Sequence, residues 1–418
     1  MIRLIEALNF RCLRYVRQPL GPFHVLVGPN ASGKTTFLDV VAFLGRLVAD
    51  GPEAAIRERT QNFQDLIWGR TGEKFELAIE VAIPEDRRNR LPAKFSAGFD
   101  TIRYEVAVGA GSQTDGIGIV EEYAFLRQWA EPSRQKHGLF QPNTIITAKR
   151  QRGIRRVLSK TLGGTGYYYP EVSKNSGSRS FFLSINLGRR KSALGNLPED
   201  ESRLPVSIWL KKLLIEGVQK LVLNSLVIRL ASRSGQVRGF KPDGSNLPWV
   251  IADFRKRFTD RFGTWIAHLQ TALPDLRDID TIEREDDRHR YLVLSYAGGL
   301  KVPSWMASDG TLRLLALTLP AYLPELQGIY LIEEPENGIH PRAIATMFQS
   351  LSSVYDAQIL LATHSPVILS AAEPKQVLCF KKTDDGATDI VRGSEHPALQ
   401  EWRGETDLGS LLAAGVLG

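Results

Sequence analysis

The sequence predicts an α/β fold: a mixed sheet with flanking helices, built from both ends of the chain, with a β-rich subdomain and a helical insertion between them. Three observations predict it. A glycine loop, Gly28-Pro29-Asn30-Ala31-Ser32-Gly33-Lys34-Thr35, lies between an apolar strand pattern and a run of helical periodicity. Two short, largely apolar runs toward the other end, 328–332 and 358–362, lack alternation, as do parallel strands buried on both faces. Between them, several segments of 71–200 alternate apolar and polar, and 201–289 turns to helical spacing.

Taken in order, residues 2–7 and 24–27 read as strands around the turn Pro19-Leu20-Gly21-Pro22. Residues 34–47 follow as a helix, with Phe37, Leu38, Val41, Phe43, Leu44 and Leu47 on its apolar face. Residues 75–83, 102–108 and 116–126 read as strands, whereas 109–118 and 163–202, rich in Gly, Ser and Asn, read as long loops. Helices are expected over 204–223 and 247–273, the second capped from Asp243-Gly244-Ser245-Asn246. A strand follows at 290–296, a helix at 311–323, buried strands at 328–332, 358–362 and 376–380, a helix at 341–355 and a last short helix at 406–412.

Composition narrows the class. With 418 residues, 43% hydrophobic and 24% charged, the chain has the make-up of a soluble globular protein with a sizeable core. The net charge of +7 fits a solvated basic surface or an electrostatic footprint for nucleic acid, and its clustering favours the second. Cys12 and Cys379 lie far apart without metal spacing, which excludes a disulfide framework and fits a reducing, cytoplasmic setting. No secretory h-region and no run of about 18 apolar residues is present, so no membrane span is expected.

The glycine loop matches G-x-x-x-x-G-K-[ST] in full, in the strand–loop–helix context that a P-loop requires. Backbone N–H groups from Gly28 through Thr36 (Asn30, Ala31, Ser32 and Gly33 among them) and the following helix N-terminus would cradle phosphate. Lys34 would reach the β- and γ-phosphates of ATP, and the Thr35 hydroxyl would bind Mg²⁺. Ile329-Tyr330-Leu331-Ile332-Glu333-Glu334-Pro335 then reads as the acidic strand of the same site. Alone it could be a strand ending in solvated acids; beside a P-loop, Glu333 takes the magnesium role and Glu334 that of general base. In Leu360-Leu361-Ala362-Thr363-His364-Ser365-Pro366, His364 follows the next strand, on the edge where open parallel sheets bind ligands, and would sense the γ-phosphate. Ser308-Asp309-Gly310-Thr311 opens a helix; by itself it reads as a plain N-cap.

These four motifs, in this order and spacing, resemble ABC-type ATPases of the RecF, SMC and overcoming-lysogenization-defect (OLD) group. GPNASGKTTFLDV, ASDGTLRLLAL, LIEEPENGIHP and LLATHSP look most like compact ATPases of bacterial anti-phage defence. The resemblance covers 1–70 and 290–385, with DGSNLP at 243–248 also similar. It implies a P-loop ABC-ATPase head: one head over 1–418, a nucleotide-binding core from 1–70 and 290–385, a β-rich lobe over 71–200, a helical insertion over 201–289 and a tail over 386–418. It also implies a homodimer sandwiching ATP, with Ser308 and Gly310 acting in trans as the signature, although Ser308-Asp309-Gly310 is shorter than the transporter signature. A Q-loop glutamine contributing to the metal falls on Gln64 or Gln61, and Arg11, in Asn9-Phe10-Arg11, resembles a residue near the nucleotide.

Lys149-Arg150-Gln151-Arg152-Gly153-Ile154-Arg155-Arg156 and Arg255-Lys256-Arg257 with Arg261 form two basic clusters with aromatics nearby, suited to a nucleic-acid backbone or to an acidic partner. OLD proteins carry a nuclease domain after the ATPase; the acids available here, Asp384, Asp385 and Asp389, lie around a Gly-containing turn, so no nuclease site is expected in this chain. The resemblance implies a sensor ATPase serving a separate, nuclease-like effector; a RecF-like DNA repair ATPase and a nucleotide-switched scaffold are the alternatives.

Overall fold

The computed structural model describes residues 1–93, 98–111, 116–131, 141–147, 153–172, 183–236, 239–324, 326–396 and 408–409. The chain forms two compact units. The first comprises Met1–Gly21, Gly28–Val218 and Phe380–Val391; the second comprises Pro22–Val27, Gln219–Cys379 and Arg392–Gly418.

In the first unit an eight-stranded antiparallel sheet runs in the order β2-β1-β4-β5-β6-β7-β8-β9. Its strands are β1 (Ile2–Phe10), β2 (Leu13–Pro19), β4 (Lys74–Ala82), β5 (Thr101–Ala110), β6 (Ile117–Arg127), β7 (Ile154–Lys160), β8 (Thr165–Tyr168) and β9 (Leu183–Asn186). Alternation puts Phe75, Leu77, Ile79 and Val81 of β4 on one face, and the Phe10, Phe43 and Phe75 rings join strand to helix Lys34–Asp50 there, with centroids 5.0–5.7 Å apart.

The opposite face carries Glu6, Glu76, Glu80, Arg103 and Glu105, and it too is buried. Arg103 bonds Glu6 at 2.8 Å, Glu80 at 3.0 Å and Glu105. Residues 141–147 cross this face as a strap: Glu76 accepts from the Thr144 hydroxyl (2.8 Å) and Ile145 N–H (2.7 Å), and Glu105 from Thr147 N–H (2.6 Å). Burial alone would lower the Arg103 pKa, but the three carboxylates outweigh it and raise it.

The second unit carries the strands expected at both ends of the chain. Here β3 (Phe23–Val27), β14 (Gly328–Glu333), β15 (Ala357–Ala362) and β16 (Val377–Lys382) lie in the order β14-β15-β3-β16, all parallel, with β10 (Val218–Leu221) beyond β14. β17 (Thr388–Arg392) neighbours β16, and this last strand pair lies largely in the first unit. A small antiparallel sheet, β11 (Leu276–Glu283), β12 (Arg290–Tyr296) and β13 (Lys301–Pro303), belongs to the second unit. Every residue of β3 and β15 is buried, as their apolar runs predict. Phe23 packs edge-on against Phe348 of helix Pro341–Ser352. Trp265 Nε1, fully buried, donates to the Thr318 hydroxyl at 2.9 Å and ties helix Thr259–Gln270 to helix Asp309–Thr318.

Several elements differ from expectation. The helix expected over 204–223 ends at Lys212, passes through a wide turn at Leu213–Gly217 and becomes β10; Gly217 costs helix stability just where β-branched Val218 opens the strand. That over 247–273 breaks at Phe258 (φ −136°, ψ 56°) into Leu247–Arg257 and Thr259–Gln270, although the apolar period runs on through the break. The helix expected over 311–323 begins at Asp309 and stops at Thr318, before Pro320. Strands β8 and β9 occupy part of the loop expected over 163–202. Of 406–412 only 408–409 are described, and 149–152 of the first basic cluster lie outside the described residues. Among the described residues no helix is long and apolar enough to cross a membrane.

Two outcomes follow. Arg103→Met removes the one cation shared by Glu6, Glu80 and Glu105 and leaves them with Tyr15, Arg127 and Thr147 as donors, so urea unfolding should show a loss of about 3–5 kcal/mol; a loss under about 1 kcal/mol would mean that the strapped face takes up water or protons readily. Burial lowers the His24 pKa from 6.5 to about 4, with the Gln376 carbonyl opposing and Arg392 assisting. Below its ordinary pKa the unfolded chain therefore binds the proton that folded His24 refuses, and this stability is full above pH 6.5 and drains toward pH 4. His24→Gln should flatten the unfolding curve across that window.

Candidate active site

In the second unit the register levels three strand ends. Glu333 of β14 pairs with Ala362 of β15, and Ala362 with Leu26 of β3. Beyond them the chain continues into Glu334, into Thr363-His364, and through Val27 into Gly28. The Glu334 N–H donates to Ala362 O (2.8 Å) and the Thr363 N–H to Leu26 O (3.1 Å), carrying the pairing past the strand ends. Glu334 turns there with φ +44°, a conformation uncommon for a residue with a Cβ.

That turn fixes the carboxylate. Glu334 Oε2 accepts from Asn337 Nδ2 at 2.7 Å, and Oε1 lies 3.9 Å from His364 Nε2. Glu336 Oε1 accepts from the Thr363 hydroxyl (2.5 Å) and the His364 N–H (3.2 Å), anchoring the backbone that presents the histidine. The Lys220 ammonium, from β10, lies 2.7 Å from Glu333 Oε1. Ser308 Oγ caps helix Asp309–Thr318 by accepting from the Thr311 N–H (3.1 Å), while Arg229 holds Asp309 at 2.6 Å. At Gly310 a Cβ would stand 2.4 Å from Gly338 O, so glycine is required for the helix start to approach the turn that follows Glu334. The structure thus brings Glu333, Glu334, His364, Ser308 and Gly310 onto neighbouring segments of one unit.

The P-loop lies in the first unit. Ala31 (φ +61°) and Gly33 (φ +104°) curl it. A Cβ at Gly28 would meet Phe380 O at 2.1 Å, so the backbone of β16 fills the space that glycine leaves. Lys34 is buried, and its ammonium folds back to donate to Gly28 O (2.8 Å) and Pro29 O (2.9 Å). No side chain caps helix Lys34–Asp50 and no acid stands in its first turn, the arrangement an anion-binding helix N-terminus uses. Ser32 Oγ is buried without a partner among the described residues, whereas Asn30 and Thr35 are exposed and Thr36 is buried. Arg11 (φ +51°) lies 3.4 Å from Asp39, whose main partner is Arg59 at 2.6 Å. Gln64 sits in the short turn Phe63–Leu66 with its Oε1 buried and unpartnered among the described residues; Gln61 is exposed.

Sequence reasoning missed Lys220, Glu336, Asn337 and Arg229. Glu336 and Asn337 follow Glu334 in a turn-forming stretch that signalled their presence there, whereas nothing local marked Lys220 or Arg229. In the second basic cluster, Arg255 pairs with Asp278 (3.0 Å) and Arg257 with Asp253 (3.0 Å), leaving Lys256 and Arg261 as its exposed charges beyond Arg257.

Comparison with solved structures settles the fold class. The chain is similar to an SMC head bound to the C-terminal winged-helix domain of ScpA, with a TM-score of 0.54 and 16% identity over 93% of this chain and 97% of that one. It is also similar to the SMC head with an extended coiled coil, bound to the C-terminal domain of ScpA, from Pyrococcus furiosus, with a TM-score of 0.51 and 13% identity over 93% and 95%. The fold is thus the mixed α/β architecture of the SMC heads, with added β-rich and helical regions. The chain belongs to the family described as "AAA domain, putative AbiEii toxin, Type IV TA system", whose model matches residues 23–370. It is also 46% identical over 41 residues to the OLD nuclease of Thermus scotoductus, a match spanning 10% of this chain and 8% of that protein.

The glycine contact yields a check. Gly310→Ala forces the helix start off the Gly338 carbonyl, and we expect about 1–3 kcal/mol of destabilisation in urea. Gly263→Ala, in helix Thr259–Gln270 with open space where its Cβ would stand, should be neutral or stabilise by up to about 1 kcal/mol. Equal effects would remove close approach as the reason for glycine at 310.

Proposed function

We propose that this chain is an ATPase that switches by nucleotide-driven pairing of two copies and regulates a separate, nuclease-like effector in phage defence. The observation that carries the ATPase reading is the register levelling the ends of β3, β15 and β14: the strand entering the P-loop, the strand before His364 and the strand before Glu334 finish side by side.

The residues fit Mg-ATP. Among the described residues no three His, Cys, Asp or Glu side chains form a metal cage. A hydroxyl, one carboxylate and phosphate oxygens are the hard donors magnesium takes when it arrives with a nucleotide, and Glu333 already faces a cation in Lys220. Thr35 and Glu333 would hold the ion, with Gln64 contributing, and its charge would offset that of the phosphates. Lys34 exchanges its loop carbonyls for the β- and γ-phosphate oxygens. Glu334, with one oxygen fixed by Asn337, accepts the proton of the attacking water through the other. His364 reads the γ-phosphate, and Arg11 lies near the nucleotide. Ser308 and Gly310 of a second copy close over the phosphate, and hydrolysis releases the pair.

The defence role rests on the family's described association with a toxin–antitoxin system and on the short similarity to an OLD nuclease. A RecF-like DNA repair role is the second reading, supported by the exposed charge of Lys256 and Arg261. Glu334→Gln should lower ATP turnover by about 100-fold or more and elute as an ATP-bound dimer in light scattering. Normal turnover would sink the general-base assignment, and severalfold stimulation of the unaltered protein by duplex DNA would favour the repair reading.

A further inference from the structure

The segment Phe380–Val391, which no motif reaches, stands against the P-loop within the first unit. Thr388 is 5% exposed and held at three points. Its N–H donates to Cys12 O (2.9 Å) and its hydroxyl to Ser32 O (2.9 Å). Its side chain also occupies the place of a Gly33 Cβ, which would stand 2.2 Å from Oγ1. At the other end of the same segment, Phe380 O fills the space beside Gly28, and the Phe380 ring packs edge-on against Phe37 of the P-loop helix, with centroids 5.6 Å apart. Asp385, in the connecting turn, pairs with Arg14 at 2.6 Å.

We infer that this hairpin is part of the nucleotide-binding machinery and that Thr388 is a positioning residue for the P-loop. The reasoning rests on the ATP-binding reading and on the planarity of one peptide. The Ser32 carbonyl and the Gly33 N–H belong to the same trans unit and point in opposite directions. A hydroxyl that anchors the carbonyl therefore turns the Gly33 N–H away from Thr388 and holds it there. Gly33 takes a φ of +104°, a conformation that glycine adopts readily and residues with a Cβ rarely do. A donor already oriented for a phosphate oxygen costs no reorganisation when the ligand arrives. Thr388 touches no substrate in this scheme; it acts through the backbone.

The test measures affinity for Mg-ATP in the full chain, with a fluorescent ATP analogue, alongside the unfolding midpoint without nucleotide. Thr388→Val keeps the shape and removes the donor; Thr388→Ser keeps the donor. Valine should weaken binding about fivefold and serine should stay within about twofold of the unaltered protein. If the valine variant fails to fold, Thr388→Ala takes its place with the same expectation. Unchanged affinity in the donor-less variant, whatever its melting point, overturns the inference, and so does equal weakening by serine and valine. Lys34→Ala is run in parallel. An unaltered protein that does not bind ATP brings down the functional reading and this inference together, whereas binding that Lys34→Ala abolishes and Thr388→Val spares brings down the inference alone.

Discussion

The register of three parallel strands is the constraint on which the second unit depends. Two ladder bonds past the strand ends, Glu334 N–H to Ala362 O and Thr363 N–H to Leu26 O, decide where the Glu334 and His364 side chains emerge. A one-residue slip of β15 against β14 would invert its side chains and carry His364 away from Glu334. The neighbours of those residues reinforce the alignment. Glu336 grips the backbone at Thr363 and His364, Asn337 grips Glu334, and Gly310 lets helix Asp309–Thr318 sit against Gly338. Strands supply the placement, and short turns hold the side chains.

The first unit solves a different problem. Its sheet covers an apolar face with the P-loop helix in the ordinary way, but its second face is charged and still excluded from water. Four glutamates would be costly there without donors. The guanidinium groups of Arg103 and Arg127, the Lys74 ammonium, the hydroxyls of Tyr15, Thr144 and Thr147, and the strap's own N–H groups supply them. Such a network gains little over an apolar core in net stability, although removing one partner is costly.

Local features were legible in the sequence. The glycine spacing defined a loop whose curled backbone is found at Ala31 and Gly33, and continuous apolar runs marked β14 and β15 within a residue or so of their ends. The charged sheet face was not legible, because Glu76 and Glu80 alternating with Phe75, Leu77 and Ile79 spell a half-solvated strand whether or not a strap covers it. The break at Phe258 was hidden by an apolar period that continues through it. Lys220, Arg229 and Thr388 were invisible for a further reason: the partners of their side chains lie 76 to 356 positions away, and no spacing rule reaches so far.

The folded-back lysine has a thermodynamic consequence. Lys34 already donates to Gly28 O and Pro29 O, so its ammonium is bonded within the loop itself. For the ammonium, binding an anion would be a substitution in which each new contact is offset by an old one broken, and its share of the affinity would be the difference between two bonded states. Two carbonyls left behind by the departing ammonium would have to find water or another donor, which makes the outer rim of the loop part of the equilibrium.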